Sequence, residues 1–392
     1  MKSEWKTSPL RDLVGFISKG IAPSYADEES ETTVRVLNQK CNRNFRITYS
    51  ESRLHDLSRK KVPTERFVRI DDILINSTGA GTAGRIAQIC NLPCDTIVDG
   101  HMIIIRANNK VSQKYLGYAM KAHQWEVLQL DEGSTGQTEL NRERLLDEIM
   151  ISYPTSFALQ EMIVKTLEGI DRKLLINEKV NDNLQQQAAA LFANFYDQAE
   201  TEVGFTEMIQ ILGGGTPKTG ESSYWNGDIP FFTPKDVGFP YTLTTEKTIT
   251  EEGLAHCNSR LYPINTVFVT ARGTVGKVGL PGVPMAMNQS CYALVGKDTH
   301  QLLVYFYTLK AVDRLKHKAS GAVFDAITTR DFEAENIMKL SDDDTKAFLD
   351  VAEPIYQAVL NNSIENLRLS ELRDSLLPKL MNGEIDVTDI RL

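Results

Sequence analysis

The sequence predicts an α+β chain in which two similar, mostly-β domains are separated by two long helices packed as an antiparallel coiled coil. Three observations predict it. A set of short motifs occurs twice, each copy ends in a long stretch of helical periodicity, and the strand-like runs within each copy are parted by loops rich in Gly, Ser, Thr and Asn. The first copy reads Gly20-Ile-Ala-Pro23, Val34-Arg-Val-Leu-Asn-Gln-Lys40, Gly81-Thr-Ala-Gly-Arg85 and Thr135-Gly136. The second reads Gly215-Thr-Pro217, Ile229-Pro-Phe-Phe-Thr-Pro-Lys235, Gly273-Thr-Val-Gly-Lys277 and Ser320-Gly321. Matched positions lie 194 residues apart at Pro23/Pro217, 192 at Gly81/Gly273 and 185 at Gly136/Gly321. A period this long is a duplication of whole domains, not a solenoid of short units. It divides the chain into a first domain (1–155), a central helix (156–200), a second domain (201–340) and a distal helix with a tail (341–392).

Each domain opens with a short apolar segment and a Gly/Pro turn. Strand-like runs follow at Val34–Leu37, Asp72–Asn76 and His101–Arg106, and again at Ile229–Thr233, Thr266–Thr270 and Cys291–Val295. Tyr115–Leu130 and Leu302–Lys318 read as one amphipathic helix per copy. A Ser/Thr-Gly loop then leads through an apolar-dotted stretch into the long helix.

In the central helix, apolar residues fall at alternating spacings of 4 and 3: Ile163, Leu167, Ile170, Leu174, then Asn177 and Asn181, then Leu184, Ala188, Leu191, Phe195. That is a seam of coiled-coil type. The distal helix repeats it at a constant offset of 185, from Phe348 through Asn362 and Asn366 to Leu380. Asparagine is a poor core residue unless its amide finds a partner. The four asparagines (Asn177, Asn181, Asn362, Asn366) therefore pair across antiparallel helices and set register; the alternative is that they face solvent. Pro354 predicts that the distal helix starts near it, and Gly383 that it stops there. At about 1.5 Å per residue, some 38 helical residues span roughly 57 Å, longer than one domain's core needs. The expected role is a spacer.

Composition bounds the function. Apolar content of 42% and charged content of 24% are those of an ordinary globular protein. No window of 18 or more apolar residues occurs and the N-terminus has no apolar signal core, so a cytoplasmic protein without a membrane span is expected. The five cysteines are odd in number and irregularly spaced, which fits reduced thiols; none sits at zinc spacing. The net charge of −9 is unevenly spread: residues 156–200 carry 4 Lys+Arg against 7 Asp+Glu and residues 341–392 carry 5 against 11, while the two domains carry 21 against 20 and 13 against 14. The acid lies in the helices and the domains are nearly neutral.

No catalytic constellation is visible. Gly213-Gly-Gly-Thr-Pro-Lys218 lacks the Gly-Lys-Ser/Thr ending of a phosphate loop. Gly79-Ala-Gly-Thr-Ala-Gly84 contains GxGxxG, but its repeat partner loses that spacing. Asp71-Asp72 reads as part of a turn and Asp342-Asp-Asp344 as a helix start, where negative charge is favoured. The loops offer base-reading chemistry instead. Asn and Gln pair bidentately with adenine and Arg with guanine, and Asn38, Gln39, Lys40, Asn42, Arg43, Asn44 and Arg46 crowd one loop. Arg59, Lys60, Lys61 and Arg85 add cations suited to phosphate. In the second copy Lys218, Thr233, Lys235, Arg272, Lys277, Asn288 and Gln289 hold comparable places. Taken singly, each is as readily a solvated loop side chain.

These motifs carry a resemblance. Gly214-Gly-Thr-Pro217 followed by Tyr224-Trp-Asn-Gly-Asp-Ile-Pro230 resembles the opening of a common target-recognition-domain type. Val36-Leu-Asn-Gln-Lys-Cys41 with Asn76-Ser-Thr-Gly-Ala-Gly-Thr-Ala-Gly-Arg85 resembles another. Residues Glu365 through Ile385 are similar to a distal conserved region, and the whole chain resembles the specificity subunits of type I restriction-modification systems. The central helix departs from the distal one in carrying Gln185-Gln-Gln-Ala-Ala-Ala190, which bears on helix packing. The resemblance implies a non-catalytic subunit whose two domains each read half of a bipartite, asymmetric site in double-stranded DNA, with the coiled coil fixing the gap. It implies two adenine methyltransferase subunits using S-adenosylmethionine and two restriction/translocase subunits using ATP and Mg2+. A modification-only system, or a duplicated protein-binding scaffold, are the other readings the residues leave open.

Overall fold

The computed structural model describes residues 4–132, 139–238, 240–318 and 326–387. The Thr135-Gly136 and Ser320-Gly321 repeats lie outside the described residues. The chain forms two compact units, residues 1–172 with 370–392, and residues 173–369.

In the first unit one four-stranded sheet runs Val14–Lys19, Met102–Ala107, Ile73–Asn76, Ile86–Gln88, antiparallel throughout. A second runs Thr96–Val98, Thr33–Leu37, Arg53–Asp56, Tyr25–Ala26, its first pair parallel. The continuous apolar run Met102-Ile-Ile-Ile105 is explained by burial on both faces. Side chains alternate along a strand. Ile103 and Ile105 join Ile73 and Ile75 in a core under the helices, while Met102 and Ile104 join Leu74 and Leu37 in a second core on the other face. The second unit repeats the device: Val267, Val269 and Leu294 face the helices, and Phe268, Cys291 and Ala293 face the other core.

The segment expected as one helix over Tyr115–Leu130 is two, Gln113–Ala122 and Gln124–Leu128. His123 leaves the helical region at φ −92°, ψ 13°, and the Gln124 amide turns to bridge the Gly84 carbonyl (2.8 Å) and the Ile86 N–H (2.8 Å). Gln301–Lys318 in the second unit is a single helix.

The central helix runs Phe157–Gln198 and the distal helix Asp342–Met381, 42 and 40 residues. The distal helix does not start at Pro354. It starts at Asp342, with the Ser341 hydroxyl accepting from the Asp344 N–H at 3.1 Å and three aspartates in the first turn. Pro354 sits on the exposed face, where the helix can bend away from the ring, and Phe348 and Ala352 are fully buried beneath. Burying Phe348 contributes about 1.5–3 kcal/mol, comparable to the roughly 3 kcal/mol that an interior proline costs. Gly383 ends the helix at φ 77° as expected.

Within the second unit the two helices lie antiparallel. Asn177 Nδ2 donates to Asn366 Oδ1 at 2.8 Å, and Asn362 Nδ2 donates to Asn181 Oδ1 at 2.8 Å: as one number rises by four, the other falls by four. Asn177 also donates to Glu365 at 2.8 Å, and that bond together with Lys173 (3.0 Å) holds the Glu365 carboxyl below its ordinary range. Within the first unit Arg373 reaches Asp171 at 3.1 Å, and Leu377 and Leu380 share a core with Leu167.

Candidate nucleic-acid interface

The same loop scaffold is built in each unit by the same backbone hydrogen bonds. In the first, Asn76 N–H donates to Arg85 O, Gly84 N–H to Asn76 O, Ser77 N–H to His101 O and Asp99 N–H to Leu37 O. In the second, Thr270 N–H donates to Lys277 O, Gly276 N–H to Thr270 O, Ala271 N–H to Ser290 O and Asn288 N–H to Phe232 O. Gly20 and Gly214 are required by contact: a Cβ at either would stand 2.1 Å from the carbonyl oxygen of Asp99 or Asn288. Gly84 and Gly276 share a left-handed φ (83° and 73°) at the end of matched loops. The scaffold fixes Asp99, His101 and Arg85 in one unit where Asn288, Ser290 and Lys277 stand in the other.

In the first unit Asn38, Gln39 and Lys40 line a cavity of about 430 Å³ together with Tyr25, Arg53, Asp99 and His101. Asn38 is spent on the loop itself: its Oδ1 accepts from the Lys40 N–H (2.8 Å) and its Nδ2 donates to the Glu51 carbonyl (2.7 Å). Asn42 is a correction. It is 0% exposed, and its amide donates to Asn76 Oδ1 (3.1 Å) and Arg85 O (2.8 Å), so it holds two loops together and offers nothing at the surface.

Residues 42–47 form a β-hairpin whose two-residue tip, Asn44-Phe45, has φ of 52° and 60°, as a type I′ turn demands. Arg43 and Arg46 stand opposite each other on it. Such a like-charge pair is unfavourable in isolation. Arg43, Asn44 and Arg85 border an open hollow of about 570 Å³. Lys60 and Lys61 are exposed on a different loop, where the Lys60 ammonium donates to Ala22 O at 2.7 Å.

In the second unit the half-buried Thr233 closes its own turn, its hydroxyl donating to Asp236 Oδ2 at 2.6 Å. Lys235, 3.8 Å from Glu246, and Arg272, Lys218 and Gln289 are exposed. Gln289 bonds Thr216, and Asn288 Oδ1 accepts from the Ser290 N–H at 3.0 Å. Lys277 stands apart from these, beside a groove of about 690 Å³ with Lys310 and Lys316 over an apolar floor that includes Phe192 and Phe306.

Sequence reasoning missed Asp99, His101, Tyr25 and Arg53 in the first unit and Lys310 and Lys316 in the second. For Asp99 the signal existed: Asn288 and Gln289 were singled out in one copy, and their partners Asp99 and Gly100 sit 189 residues earlier. Among the described residues no group of three or more His, Cys, Asp or Glu is placed to hold a metal ion, and no helix is long and apolar enough to cross a membrane.

The fold and its loops define a duplicated α+β chain that presents one polar rim twice, with different side chains on it. Residues 2–186 and 201–339 match the type I restriction modification DNA specificity domain, and the chain belongs to that family. It is 32% identical over 124 residues to the type I restriction enzyme MjaIX specificity subunit of Methanocaldococcus jannaschii, an alignment covering 30% of this chain and 29% of that one. It is 29% identical over 185 residues (46% and 40%) to the HindI specificity subunit of Haemophilus influenzae. To the EcoR124I/EcoR124II specificity subunit of Escherichia coli it is 27% identical over 213 residues, half of each chain (51%). The chain thus spans 29–51% of the length of these relatives. The solved S subunit of a type I restriction-modification system from M. genitalium superposes with a TM-score of 0.57 at 14% identity, over 97% of this chain and 96% of that one, a likeness of fold.

Proposed function

We propose that this chain is the cytoplasmic DNA-specificity subunit of a type I restriction-modification complex and carries no catalysis of its own. Each unit reads one half of a bipartite, asymmetric site in double-stranded DNA, and the two long helices set the unspecified gap. Two adenine methyltransferase subunits using S-adenosylmethionine and two ATP- and Mg2+-dependent restriction/translocase subunits complete the assembly. The observation that carries this reading is one loop scaffold built twice with different polar groups at equivalent positions: Asp99 and Asn288, His101 and Ser290, Arg85 and Lys277. Phosphate contacts position a protein on DNA and base-edge contacts specify the sequence. Repeating the scaffold preserves the first while changing the second.

The test is a map of N6-methyladenine in host DNA with and without the gene. Loss of one split, asymmetric methylated motif on removing the gene is expected; survival of every methylated motif would sink the reading.

Two expectations accompany it. The near-neutral domains give the isolated chain little general attraction for DNA. Filter binding at physiological salt should find only the non-specific range, roughly 10⁻⁴–10⁻⁶ M, tightening to about 10⁻⁸ M or better in the complex. Nanomolar, sequence-specific binding by the chain alone would contradict this. Second, inserting four residues between Lys179 and Leu184 adds about one turn, roughly 6 Å, and should lengthen the gap in the methylated motif by one or two base pairs. A fixed gap with both halves intact would show that the helices are not the ruler.

A further inference from the structure

The cavity of about 430 Å³ in the first unit, lined in part by Tyr25, Gln39, Arg53, Asp99 and His101, is chemically lopsided. Asp99 is 5% exposed, and its Oδ1 accepts from the His101 N–H at 2.9 Å. Burial pushes its carboxyl pKa up, and the His101 amide and ring offset only part of that. Gln39 Oε1 is sealed from solvent and has no hydrogen-bond donor. The side chains of Asp99 and Gln39 thus border one space.

The second unit supplies a control. Asn288 holds the place of Asp99, with the matching main-chain bond to Phe232 and the matching Oδ1 contact to the amide two residues on. Since Oδ1 is committed to the turn in both, the remaining atom decides the chemistry. It is Oδ2, an acceptor, in Asp99 and Nδ2, a donor, in Asn288. A metal ion is a poor occupant of the first-unit cavity, because Lys40 and Arg53 line it and the Arg53 guanidinium stacks 3.5 Å over the Tyr25 ring. Lys40 and Arg53 offset the Glu51 carboxylate that also lines the cavity, and a hydrogen-bond donor suits the Asp99 carboxylate.

We propose that Asp99 and Gln39 form a specificity pocket for an exocyclic amino group, adenine N6 or cytosine N4, in the major groove of the half-site read by the first unit. The proposal rests on the DNA-specificity reading above. In the major groove adenine and guanine differ in presenting an amino donor or a keto acceptor beside N7, and cytosine and thymine differ likewise at C4. Exchanging Asp99 for Asn keeps the turn acceptor and reverses the remaining atom.

The experiment maps N6-methyladenine in hosts carrying the complete system with Asp99→Asn, Gln39→Leu or Asn288→Asp, beside a deletion of the gene. For Asp99→Asn, methylation of the native motif should fall about tenfold, the scale of one lost base contact. One position in one half should shift toward the keto base of the same ring class, A to G or C to T. The base at that position in the native motif identifies the amino group as adenine's or cytosine's. Gln39→Leu should weaken the same position, and Asn288→Asp should alter only the other half. Native motifs unchanged by both Asp99→Asn and Gln39→Leu overturn the pocket while leaving the specificity reading intact. So does loss of all methylation with Asp99→Asn while Gln39→Leu behaves as wild type, or a shift that does not favour the keto base. Motifs that survive deletion of the gene overturn both.

Discussion

Replacing Asp72 by Ala is expected to destabilise the first unit by about 3–5 kcal/mol, the scale for removing one partner of a buried ion pair. Asp72 is 2% exposed, and the Arg106 side chain that pairs with it is 12% exposed. The pair is bidentate, with Arg106 Nε on Oδ1 and an Arg106 terminal nitrogen on Oδ2, both at 2.7 Å. Oδ2 also accepts from the Arg69 N–H at 2.8 Å, and Arg106 donates further to the carbonyls of Glu65 and Phe67, each at 2.7 Å. One carboxylate therefore closes the turn at residues 69–72 and ties it to the strand Met102–Ala107. Without it the guanidinium stays buried with two carbonyls and no counter-charge. Trp5 and Trp125 lie in this unit and Trp225 in the other. Urea unfolding followed by fluorescence, with Trp225→Phe as background, reads the first unit. A loss under about 1 kcal/mol would place the pair among solvent-screened surface contacts. Asp72→Asn retains an acceptor for Arg69 and should fall between the two.

That ion pair also shows where sequence reading stops. Asp71-Asp72 was legible as a turn, and Asp71 does adopt a left-handed φ of 68°. The partner 34 residues away was not, because nothing local marks Arg106 as the cation that will be buried with it. The duplication, the strands and both long helices were legible because each leaves a periodic trace: two for strands, three and four for helices, about 190 for the repeat. Asn42 was misread for the opposite reason. It sits among exposed polar neighbours, and its burial is set by Asn76 and Arg85 on another loop. Pro354 misled because propensity is a local average, whereas the core beneath Phe348 and Ala352 is tertiary. The rim residues divide similarly. Residue type pointed to Arg43, Asn44 and Arg85, but only the fold brings Gln39 and Asp99 to one cavity.

Asn181→Leu should destabilise the second unit by roughly 1–3 kcal/mol, and adding Asn362→Leu should restore most of that loss. Asn181 is 7% exposed; its Oδ1 accepts from Asn362 at 2.8 Å, and its Nδ2 lies 3.4 Å from Val359 O and Ser363 Oγ. Changing one asparagine strands the other's amide in a half-buried seam, and an orphaned polar group costs about 1–3 kcal/mol. Changing both leaves two leucines between antiparallel helices, a contact that is often neutral or stabilising. A double-mutant cycle in urea should therefore give a coupling energy of about the size of a single loss. If the double variant loses the sum of the two singles, each asparagine acts alone and the pair carries no coupling. Stability is the lesser half of the result. Leucines pack in several registers, whereas the pairs Asn177–Asn366 and Asn181–Asn362 are satisfied in one. Because the Asn177–Asn366 pair still fixes register in the double variant, it is a variant with all four asparagines changed to Leu that, on the gap-setting role proposed above, should direct methylation to motifs whose gap varies by a base pair or more. A single sharp gap in its methylation map would mean that register is held elsewhere, by the packing of Phe192 and Phe348 at one end of this helix pair.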